Sequence, residues 1–115
     1  MQRDLLLLGE IIEAAKRLQE LTDGLTAEDI AEDELRRDAL LWNFTVLGEA
    51  TAQLSEALRA QHATVEWRRP AQLRNRIVHG YWSIDLEILV NTAHDDLAGF
   101  VEDVRRVIEA LADGS

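Results

Sequence analysis

One period dominates this chain. Apolar residues recur every three to four positions from end to end, and only one proline and six glycines interrupt them. Such a chain must bury one stripe on each of several helices, and short connections between long helices predict an all-α antiparallel bundle of four to five helices. Leu5, Leu8, Ile12 and Ala15 share a face, with Leu18 and Leu21 beside it, and Asp23-Gly24 should stop this first helix. Thr26 then reads as a hydroxyl cap with acids behind it, opening a short turn of helix or a loop. A second helix is predicted from about Asp33 to about Arg59. Its stripe of Leu35, Ala39, Leu40, Trp42, Val46, Leu47, Ala50, Leu54 and Leu58 is wide enough to meet more than one neighbour. Thr64 to Trp67 is the only β-like fragment. Pro70 suits the first turn of a third helix that Gly80, as a left-handed residue, should end. A fourth helix, capped by Ser83 or Asp85, should run unbroken to Leu111, about 40 Å at about 1.5 Å per residue.

The 115 residues fit a single domain, taken as 1–115, with enough apolar content for an ordinary core. The chain has no cysteine, which fits a cytoplasmic protein, and the leucine run after Asp4 soon meets Glu10 and Glu13. That run is therefore expected to be neither a signal peptide nor a membrane span. The formal charge of -10 argues against nucleic-acid binding by the molecule as a whole. Its distribution does not. Arg59, Arg68, Arg69, Arg74 and Arg76 stand close in sequence against the single acid Glu66, while Glu28, Asp29, Glu32, Asp33 and Glu34 cluster elsewhere. A local basic field on an acidic body can hold a polyanion, and a solvated basic face is the alternative.

Glycine-rich phosphate loops, nucleophile elbows and metalloprotease helices are absent, and His62, His79 and His94 lack metal-ligand spacing. The chemistry-bearing segment is Leu73-Arg74-Asn75-Arg76-Ile77-Val78-His79-Gly80-Tyr81-Trp82. Asn75 and His79, four apart, share a helical face. Arg74 and His79, five apart, lie about 140° from one another on an ideal helix. They converge only if the helix unwinds near Gly80 or if a second subunit supplies the missing group. Cleaving RNA through its own 2′-hydroxyl requires proton transfers and stabilisation of a phosphorane. Histidine at the negative end of a helix does the first and arginine the second, so no metal or other cofactor is called for. Alternatively His79 only caps helix carbonyls and the arginines are solvated. Asn43, inside the second helix's stripe, reads as a satisfied buried amide or a supporting group. Glu49 at its rim reads as a solvated acid or a supporting one.

Arg74-x4-His79-x-Tyr81 resembles the signature of the HepT-type HEPN ribonuclease toxins. Leu47-Gly-Glu-Ala50, Trp67, His79-Gly-Tyr81 and Asp85-Leu86 extend the likeness over nearly the whole chain. The resemblance implies a homodimer whose Arg-His sites face each other across a cleft and cut RNA without metal. It implies Arg74 and His79 as catalytic residues, Asn75 as a supporting one, and a small nucleotidyltransferase antitoxin as partner, in a larger hetero-oligomer or not; Arg76, Glu49 and Asn43 are further supporting candidates by their own position and chemistry. In some members the partner adds AMP to the motif tyrosine, here Tyr81. The competing readings are a non-catalytic helical subunit that docks such a transferase, and a nucleotide-binding module.

Overall fold

The computed structural model describes residues 2–114, apart from the side chain of Trp82, and finds only helices and turns there. In chain order these are α1 (Gln2–Thr22), α2 (Ala27–Glu32), α3 (Glu34–Gln53), α4 (Glu56–Gln61), α5 (Arg68–Gly80), a 3-10 turn (Tyr81–Ser83), α6 (Leu86–Asp95) and α7 (Leu97–Gly114). The all-α reading holds, and the fragment around Val65 forms no strand. No helix of the described residues is long and apolar enough to cross a membrane.

Helix α3 is the centre of the bundle, packed on α1 along one side and α5 along the other, while α1 also meets α6 and α7. Leu8, Ile11, Leu40, Phe44, Leu47 and Leu89 are wholly buried where these helices join. Gly24 ends α1 in the left-handed region (φ 70°), as expected. Thr26 and Asp29 close a reciprocal capping box at the start of α2: the Thr26 hydroxyl accepts from the Asp29 amide (3.2 Å) and the Asp29 carboxylate from the Thr26 amide (2.9 Å).

Three boundaries differ from the sequence reading. The second helix does not reach Arg59. It stops at Gln53, Leu54 is extended (ψ 145°), and Ser55 caps the separate α4. The cause lies 51 positions upstream, where the Asp4 carboxylate accepts hydrogen bonds from the Ser55 amide (2.9 Å) and hydroxyl (2.7 Å). Burial pushes the Asp4 carboxyl upward, but those two bonds, together with nearby positive charge that includes Arg3, hold it below the ordinary aspartate range. The fourth predicted helix is likewise two, interrupted at Asp96, whose carboxylate is drawn to Arg69 (2.9 Å). Gly80 is not left-handed (φ −144°); α5 passes into the 3-10 turn instead, and Asp85 caps α6.

The wide stripe of α3 is also only partly buried. Leu40, Leu47 and Ala50 face the core, whereas Leu35 is 85% and Trp42 66% exposed. Val78 of α5, 56% exposed, adds to the uncovered apolar surface beside Trp42.

Candidate active site

Helix α5 takes its place through Pro70, Leu73 and Ile77, which are buried and leave the polar residues of the motif on two other faces. How closely it approaches α3 depends on Gly48. A Cβ there would collide with Arg74 Cβ and with the Pro70 carbonyl oxygen, so only glycine admits this packing. The Leu-Gly-Glu-Ala segment thus has a steric reason for its glycine, and the next residue, Glu49, emerges beside Arg74.

Arg74 is held on both sides. One terminal nitrogen donates to Glu49 Oε2 (2.6 Å), the other to Asn75 Oδ1 (2.8 Å), and its buried Nε has no partner among the described residues. Glu49 also accepts from Gln53 Nε2 (3.1 Å), and Gln53 in turn accepts from Arg3 (2.8 Å). A chain of hydrogen bonds therefore runs Arg3–Gln53–Glu49–Arg74–Asn75 across three helices. The bonds from Gln53 and then Arg74, with the arginine's charge, hold the Glu49 carboxyl below the ordinary glutamate range. Guanidinium carries five N–H groups, so Arg74 keeps donors to spare for an anion while its plane is set by protein.

At the far end of the same seam the Tyr81 hydroxyl donates to Asp38 Oδ1 (3.0 Å). That bond first, then partial burial and the Asp38 charge, push the phenol above its ordinary pKa. Tyr81 thus stays a protonated phenol near neutrality, 37% exposed at the end of a groove lined by Asp38, Trp42, Thr45, Ile77 and Val78. Asp38, Trp42, Thr45 and Glu49 form one ridge of α3 that follows α5 from Tyr81 to Arg74. Neither Asp38 nor Gln53 was singled out by sequence. Only their helical spacing from Glu49 hints at them, and that spacing is common.

His79 is exposed and makes no hydrogen bond or ion pair among the described residues; Arg76 is the same. Helix α5 remains helical through His79, so unwinding does not bring His79 round to Arg74. Asn75 joins the two faces instead, accepting from Arg74 while standing one turn before His79. Asn43 is not part of this assembly. It is buried, donates to the Ala39 carbonyl (2.8 Å), and borders a groove with Arg17, Glu20 and Arg36. His94 lies against the Thr22 carbonyl (2.7 Å), tying α6 to the end of α1. No group of acids and histidines among the described residues is arranged to hold a metal ion.

The family described as Ribonuclease HepT-like matches residues 11–111. A protein named probable ribonuclease HepT from Thermococcus cleftensis is 28% identical over 78% of this chain and 82% of its own. A protein of Methanocaldococcus jannaschii named as a candidate RNase is 24% identical over 90% of this chain and 86% of its own. Another from Caldanaerobacter subterraneus, named likewise, is 24% identical over 89% and 91%. No solved structure gives a significant match. The chain belongs to the HepT-like ribonuclease family.

Proposed function

We propose that the protein is an endoribonuclease toxin that cleaves RNA without a metal ion, in a cleft between two copies of itself. The observation that carries this reading is the fixed Arg74 guanidinium, oriented by Glu49 and Asn75 on the helix that exposes His79. In the cleavage, His79 accepts the 2′-hydroxyl proton, the 2′-oxygen attacks the adjacent phosphorus, and Arg74 bears the charge gathering on the phosphorane. A histidine, that of the second copy, returns a proton to the departing 5′-oxygen. A two-fold pairing answers the separation of Arg74 and His79 on one helix, because each copy lends its histidine to the other's arginine. The uncovered Trp42 and Val78 favour such a pairing, since exposed apolar patches of this kind commonly serve contact with another chain.

The reading extends to a cognate nucleotidyltransferase antitoxin that adds AMP to Tyr81. The exposed phenol two residues from His79 supports it, and the added phosphate would oppose an RNA phosphate by like charge. The decisive experiment incubates the purified protein with RNA and excess chelator, with sedimentation run in parallel. Cleavage by a dimer or larger even assembly is the expected result. Intact RNA, or a strict monomer, overturns the toxin or the composite site respectively.

A further inference from the structure

The chain has twelve lysines and arginines in all. Arg3, Arg36, Arg37, Arg69, Arg74 and Arg106 each make an ion pair or hydrogen bond to another side chain. The other six make none among the described residues: Lys16, Arg17 and Arg105 are spread over α1 and α7, whereas Arg59, Arg68 and Arg76 gather where α4 meets the outer face of α5. Two open depressions of about 790 and 450 Å³ lie side by side there and share Arg69 and Gln72. The first carries Arg59 and Arg68, the second Arg76 and Asn75. Together their walls hold four arginines against two carboxylates, Glu56 and Glu66, neither of which pairs with Arg59 or Arg68. On a chain of net charge -10, unpaired arginines collected on one face repel each other and attract an external anion.

The geometry of α5 gives the patch a direction. Arg68, Gln72, Asn75 and His79 are spaced four, three and four residues apart, so they stand within about 60° on the helix. From Arg68 to His79 the stripe is about 16 Å long at about 1.5 Å per residue, a reach of a few nucleotides. No acid interrupts it between Trp67 and Gly80.

We propose that this stripe is the path of the RNA strand leading away from the cleaved bond, with Arg59, Arg68 and Gln72 forming a distal phosphate-binding subsite. The inference rests on the ribonuclease reading above and goes beyond it. The subsite grips the backbone, with arginines on phosphates and the Gln72 amide on phosphate or sugar oxygens, so it lengthens the preferred substrate without selecting bases.

The test uses single-stranded RNA of about twelve nucleotides, within the range such grooves cover. Its affinity is measured across a salt series with the full-length protein carrying His79→Ala, so that nothing is cut. Adding Arg59→Gln and Arg68→Gln should weaken binding and lower the salt slope by about 0.7 per lost phosphate contact, about 1.4 in all. Arg59→Lys with Arg68→Lys should restore the slope. Arg17→Gln with Arg105→Gln, on α1 and α7, should leave it alone, and Glu56→Gln with Glu66→Gln should tighten binding. In the cleaving protein the loss should fall on KM for the long RNA and shrink on a dinucleotide. An unchanged slope, or an equal loss on both lengths, overturns the subsite while leaving the ribonuclease reading intact. If the unsubstituted protein neither binds nor cuts RNA, the reading it rests on falls and the subsite falls with it.

Discussion

The two polar faces of α5 are built in opposite ways. Toward α3, every functional group is tied down: Arg74 to Glu49 and Asn75, Tyr81 to Asp38, with Gln53 and Arg3 behind them. Away from α3, His79, Arg76 and Arg68 have no partner among the described residues. That difference suits the division of labour proposed above. A group that stabilises developing charge gains from being fixed beforehand, since it then costs no reorganisation during reaction. A group that exchanges protons or follows a flexible strand must stay reachable. On the proposed reading one thirteen-residue helix serves both needs, because its buried side leaves two separate polar faces.

Seven substitutions at six positions test that contrast, beginning with the largest effect. His79→Ala should lower cleavage by about 10²–10⁴-fold, the usual cost of a lost acid or base, with circular dichroism and assembly mass unchanged. Arg74→Ala should do likewise, and Arg74→Lys should recover only part, because lysine cannot keep the fork to Glu49 and Asn75. If His79→Ala folds and cuts RNA at the normal rate, the catalytic assignment is wrong.

The fixed face can be loosened without touching either residue. Glu49→Gln keeps the shape but removes the charge that aims Arg74, and should reduce kcat by about ten- to a hundredfold, the range a small misplacement causes. Unaltered kcat would mean that Arg74 needs no orienting partner. Gly48→Ala forces α5 off α3 and should cost about 1–3 kcal/mol in urea unfolding, as overpacked sites do. Activity should fall with it, and full stability would show that the close approach is not required.

Asp4→Asn tests whether the break that sets α4, and so Arg59, depends on a charged clasp. The folded carboxyl lies below its ordinary value, so its contribution is complete above the unfolded pKa and disappears as pH falls through the folded one. The variant should therefore be less stable than the parent by about 1–3 kcal/mol at neutral pH, converging with it in acid. A gap that persists at low pH would exclude ionisation as the cause. The smallest expected effect is spectroscopic. The chain has one tyrosine, so phenolate absorbance reports Tyr81 alone. Asp38→Asn removes the carboxylate charge and leaves only a weaker, neutral amide acceptor for the phenol, so ionisation should begin at lower pH. An unmoved titration would show that the two are not coupled in solution.

Much of this molecule is legible from sequence because its causes are local. Periodicity marks the helices, Gly24 and Thr26 punctuate them through their own backbone preferences, and the Arg-x4-His-x-Tyr spacing picks out α5. The separation of Arg74 from His79 follows from helical geometry alone. What depends on contacts between distant segments was not legible. The break at Leu54 is made by Asp4, and the interruption at Asp96 occurs where its carboxylate meets Arg69. Glu49, ambiguous as a rim acid, becomes Arg74's holder only because Gly48 lets α5 come close, while Asn43, equally plausible on paper, falls on another side of α3. Local sequence decides which residues stand on a helix and in what order. Which of them meet is set by how the helices pack, because hydrogen bonds form only within about 3 Å and no period in the sequence encodes that distance.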